Sequence, residues 1–84
     1  MKSRTIRSND LYQDTVVEIL TNEKSNLLLD NGTVLFERPL TEIVLDAIDQ
    51  YNSGLKINVL LFAQTFKRRK AEMLIFKKQA GGQK

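Results

Sequence analysis

A chain of 84 residues, 42% of them hydrophobic, with no cysteine and no histidine, has room for one domain. It lacks disulfide staples, thiolate and imidazole metal ligands, and the usual neutral-pH proton shuttle. The formal net charge of +3 conceals a segregation: residues 1–8 hold three bases and no acid, residues 9–50 nine acids against two bases, and residues 51–84 eight bases against one acid.

Residues 1–9, MKSRTIRSN, are polar and basic apart from Ile6, and read as a mobile N-terminal arm. Residues 15–21, TVVEILT, are rich in β-branched side chains and bounded by a polar cluster, which favours a strand over a helix from Leu11 to Leu20. Next comes LLLDNGTVLF, residues 27–36. Asn31-Gly32 suits the two positive φ angles of a type I′ turn, so a hairpin is expected with Leu29 opposite Val34 and Leu27 opposite Phe36. That register gathers four apolar groups on one face and leaves Leu28 and Leu35 together on the other, where something must cover them.

Pro39 closes the hairpin, and Thr41 caps a helix running to Asn52 and ended by Ser53-Gly54. Val44, Ala47, Ile48 and Tyr51 form its apolar stripe, with Glu42, Asp46 and Asp49 opposite. Residues 56–66, KINVLLFAQTF, are apolar on both alternating faces through Ala63, as in a central strand. Residues 72–78 would be its hairpin partner. The rival is one long helix from an Asn58 cap to Gln79, disfavoured because charge interrupts the stripe Phe62, Phe66, Arg69, Met73. The expected architecture is thus α+β: an antiparallel β-β-β meander, one helix, and a C-terminal β-hairpin or long helix. Residues 10–78 form the domain and residues 79–84 a flexible tail.

No motif here belongs to a nucleophilic or phosphate-loop enzyme, and the chain is expected to be non-enzymatic, without cofactor or metal. Glu42, Asp46 and Asp49 share one helix face and could hold a hard cation, but any amphipathic helix needs a polar face. Asp10 and Asp14 are assigned to structure on the same ground. The basic tract Lys67, Arg68, Arg69, Lys70 is more pointed, because four adjacent cations repel unless they meet solvent or an anion. With Lys77 and Lys78 it forms the candidate nucleic-acid-binding set, binding phosphates with little sequence preference. The alternative is a protein-interaction module using Leu28, Leu35, Glu42, Asp46 and Asp49. A core this small contributes only about 3–5 kcal/mol, so a homo-oligomer is expected as well. The apolar runs fall short of the roughly 20 residues of a membrane span, which points to a soluble, cytoplasmic protein with no membrane partner.

Overall fold

The computed structural model describes residues 4–80. In chain order the elements are β1 (Thr5–Ser8), α1 (Leu11–Thr21), β2 (Asn26–Asp30), β3 (Thr33–Pro39), α2 (Glu42–Asn52) and α3 (Val59–Ala80). The strands form one antiparallel sheet in the order β1-β3-β2. Buried Val34, Phe36 and Arg38 alternate along the central strand β3 with half-buried Leu35 and Glu37, so one sheet face carries the core and the helices lie against it. Within that helical layer α1 packs against both α2 and α3. The molecule is correspondingly thin, 42 by 39 by 18 Å.

The hairpin forms in the expected register, with Leu29 opposite Val34, Leu28 opposite Leu35 and Leu27 opposite Phe36. Asn31 (φ 51°) and Gly32 (φ 82°) both occupy positive φ, as the tight turn requires. Helix α2 also starts where its cap directs, since the Thr41 hydroxyl accepts from the Val44 amide at 3.2 Å.

The class is α+β, but the order is β-α-β-β-α-α rather than a meander, one helix and a hairpin. Residues 15–21 belong to helix α1, not to a strand. Asp10 caps it, its carboxylate accepting from the amides of Tyr12 at 3.0 Å and Gln13 at 3.2 Å. Thr15 and Thr21 donate their hydroxyls back to the carbonyls of Leu11 and Val17, each at 2.8 Å. Their helix propensity deficit of a few tenths of a kcal/mol per residue is outweighed by burial of Thr15, Val16 and Val17.

The second correction concerns residues 5–8, expected within a mobile arm, which instead pair as β1 along β3 from Thr5 opposite Pro39 to Ser8 opposite Phe36. The third concerns the C-terminal hairpin. Residues 59–80 form a single helix, capped by Asn58, whose side-chain oxygen accepts from the Leu61 amide at 2.8 Å. Its inward stripe runs Phe62, Thr65, Phe66, Arg69, Met73, Phe76, a 3.6-residue period with an arginine at its centre. Residues 1–3 of the expected arm and 81–84 of the expected tail lie outside the described residues.

Candidate functional site

The basic tract divides in two because helical geometry sends adjacent residues in different directions. Arg69 points inward and is only 3% exposed. Its Nε donates to Asp14 Oδ2 at 2.7 Å, one Nη to the Ser25 carbonyl at 2.7 Å and to the Ser25 hydroxyl, and the other Nη to Glu72 at 2.9 Å. Its guanidinium carbon also lies 5.8 Å from the centre of the Phe36 ring. Asp14, equally buried, receives a second guanidinium: Arg38 Nη2 donates to Asp14 Oδ1 at 2.9 Å and to the Asp14 carbonyl at 3.1 Å, while Arg38 Nη1 reaches the Glu23 carbonyl at 2.8 Å. The Ser25 hydroxyl donates to Asp14 Oδ1 at 2.6 Å. Two carboxylates and two guanidiniums are thus taken from water together, since Glu18 is buried beside them with Oε1 3.9 Å from Arg69 Nε. Such a cluster is tolerable only because nearly every donor and acceptor is matched.

Arg68 lies at the margin, pairing with Glu18 and with Glu72 at 3.1 Å. Lys24 adds a third cation to Glu72 at 3.0 Å. Partial burial raises the Glu72 pKa, but hydrogen bonds from Lys24, Arg69 and Arg68 outweigh it and lower the carboxyl from the usual 4.5 to about 2. A pKa depressed by folding means that the unfolded chain binds the proton first. The contribution of Glu72 is therefore complete above pH 4.5 and lost as pH falls from there toward 2. Glu72→Gln should flatten that segment of the stability-pH curve, read from urea midpoints at pH 2.5 to 6. An unchanged slope would show the carboxylate unpaired in solution. Arg69 also stays charged: burial works against its charge, but the hydrogen bonds to Asp14 and Glu72 leave its pKa raised.

The remaining basic candidates face outward. Lys67, Lys70, Lys77 and Lys78 are exposed on α3 and have no ion-pair partner among the described residues. Of the six bases expected on one binding surface, four lysines share the outer side of α3, Arg68 is half engaged, and Arg69 is inside. Glu42, Asp46 and Asp49 are exposed together along α2. Leu28 and Leu35 face each other across the hairpin but are only half-exposed.

The large apolar side chains that are exposed lie elsewhere. They are Tyr12 and Leu20 on α1, Ile43 and Leu45 on α2, and Val59, Leu60, Leu61, Leu74 and Ile75 on α3. Among the described residues all nine belong to helices and none to the sheet, and Val59, Ile43 and Leu60 are 81%, 68% and 66% exposed. Where α3 begins, Val16, Tyr51, Leu55, Ile57, Val59 and Phe62 line an apolar cleft of about 300 Å³. Tyr12 stacks over the adjacent rings of Phe66 and Phe62, with centroids 5.0 and 6.4 Å away. Tyr51 belongs to the stripe expected for α2, and Phe62 and Phe66 to the rival helical stripe, but the exposed apolar set has no counterpart among the binding residues expected from sequence. A helical reading of residues 59–80 would have separated an inward stripe from Leu60, Leu74 and Ile75; a strand reading merges the two.

Among the described residues no three His, Cys, Asp or Glu side chains come together so as to hold a metal ion. Likewise no described helix is long and apolar enough to cross a membrane. Comparison of the chain with protein-family models, curated proteins and solved structures finds no match.

Proposed function

We propose that the chain is a non-enzymatic protein-interaction module whose working surface is the exposed side of its helical layer. The observation that carries this reading is that all nine exposed large apolar side chains among the described residues lie on helices. Single exposed apolar residues are ordinary, but several on three packed helices, beside charged rows, suit a protein-binding surface. The surface combines apolar anchors with acids on α2 and lysines on α3, as interfaces combine an apolar centre with a polar rim. A cytoplasmic setting fits a chain without cysteine.

One observation favours a second reading, in which α3 binds nucleic acid: four lysines, Lys67, Lys70, Lys77 and Lys78, are exposed on one helix without acidic partners among the described residues. Burial of Arg69 and engagement of Arg68 weaken it, because the two side chains best suited to paired phosphate contacts are occupied. Capture from a lysate of the source cells, with and without nuclease, separates the two. Recovery of nuclease-resistant protein, including untagged copies of the chain, is expected. Recovery of nucleic acid alone, with binding that falls by about 0.9 log unit per phosphate contact for each log unit of salt, would overturn the first reading in favour of the second.

A further inference from the structure

We infer that the partner of the helical layer is a second copy of this chain, with α2 of each protomer lying against α3 of the other. The inference rests on the protein-interaction reading and names its partner.

Three observations carry it. First, the exposed charges of the two helices are opposite: Glu42, Asp46 and Asp49 on α2, and Lys67, Lys70, Lys77 and Lys78 on α3. Second, their spacing matches. Glu42 and Asp49 stand seven residues apart on one side of α2, as do Lys70 and Lys77 on α3, and seven residues are two helical turns, about 10.5 Å. Exposed apolar groups accompany both rows: Leu45 stands four residues before Asp49 on α2, and Leu74 lies four residues after Lys70 and three before Lys77 on α3. A helix pair in this register therefore covers apolar surface while it neutralises charge. Third, the match cannot be made inside one protomer. Helix α1 packs between α2 and α3, and no ion pair joins α2 to α3 among the described residues.

A two-fold axis running along the central helix exchanges the flanking positions, so the α2-on-α3 contact forms twice and the assembly closes without a free end. It also brings Tyr12 and Leu20 of α1 toward the middle of the interface. The broad side of a molecule measuring 42 by 39 by 18 Å is ample for the roughly 800 Å² per partner that a stable interface buries. An unrelated acidic protein would satisfy α3 alone and leave the acids of α2 and their apolar neighbours uncovered.

Charge reversal tests this directly, because all the substituted positions are exposed and the variants should keep the wild-type circular dichroism. One variant carries Glu42→Lys, Asp46→Lys and Asp49→Lys; the other carries Lys67→Glu, Lys70→Glu and Lys77→Glu. By sedimentation velocity the wild type is expected to dimerise, more weakly as salt rises. Each reversed variant alone should dimerise at least about tenfold more weakly. An equimolar mixture of the two should recover dimer, since both crossed contacts are again opposite in charge. A wild type monomeric at every concentration, a dimer indifferent to both reversals, or a mixture that stays monomeric would each overturn the inference. A monomeric wild type that still captures a different protein, and loses it on Leu60→Asp with Leu74→Asp, leaves the interaction reading standing. Loss of that capture as well removes both.

Discussion

Arg69→Ala should destabilise the protein by about 3–5 kcal/mol, the usual result of removing one partner from a buried ion cluster. The loss exceeds a single salt bridge because the side chain makes several bonds at once. Without it Asp14 Oδ2 and the Ser25 carbonyl have no donor, Glu72 keeps only its exposed partners, and the Phe36 ring faces a void. For a domain of this size the loss is comparable to the whole folding free energy, and circular dichroism should show a largely unfolded population at 25 °C. Lys67→Ala and Lys70→Ala, the neighbours in the same tract, should stay within about 0.5 kcal/mol of wild type, as exposed substitutions do. Arg69→Lys keeps the charge but not the planar fork, and its urea midpoint should fall between the two. Equal midpoints for all four variants would mean that the tract is uniformly solvated and that α3 is not clasped to α1.

Phe36→Ala should have the next largest effect, about 3–5 kcal/mol by the same urea titration. Phe36 is 3% exposed at the middle of the central strand, opposite Ser8 of β1 on one side and Leu27 of β2 on the other, with the guanidinium of Arg69 over its ring. Removing it opens a cavity where sheet and helical layer meet and takes away a cation–π contact worth about 0.5–2 kcal/mol. Phe36→Leu restores most of the volume and none of the quadrupole, so it should cost about 1–3 kcal/mol. A loss below 1 kcal/mol for the alanine variant would place the ring outside the core.

The parts of this fold that local rules govern were legible in the sequence. Asn31-Gly32 and the two-residue period of its flanks set the hairpin register, and Thr41 with the stripe Val44, Ala47, Ile48, Tyr51 set α2. What escaped depends on residues far apart in the chain. Arg69 in an apolar stripe looks like an interruption until Asp14, 55 positions earlier, is known to meet it, and the helix therefore reads as a hairpin. Residues 15–21 are strand-like by propensity, yet the Asp10 cap and burial against the sheet make them helix. β1 escaped for a different reason: an edge strand with only Ile6 as an apolar group shows no periodicity to read. The charge segregation itself was visible, and segregated charge is met in one of two ways, by an external anionic partner or by pairing within the chain. The fold uses the second for Asp14 and Glu18 against Arg69 and Arg68, and turns Glu42, Asp46, Asp49 and the four lysines to the surface.

The sheet supplies the control, since among the described residues the apolar side chains of its outer face are the half-exposed pair Leu28 and Leu35. The most direct measurement compares protein captured from a lysate, nuclease-treated throughout, by the wild type, by Leu60→Asp with Leu74→Asp on α3, and by Leu28→Thr with Leu35→Thr on the sheet. At least about a tenfold loss of captured protein, including untagged copies of the chain, is expected for the α3 variant, with near-wild-type recovery for the sheet variant. Recovery lost with the sheet variant and kept with the α3 variant would contradict the protein-interaction reading of the helical layer.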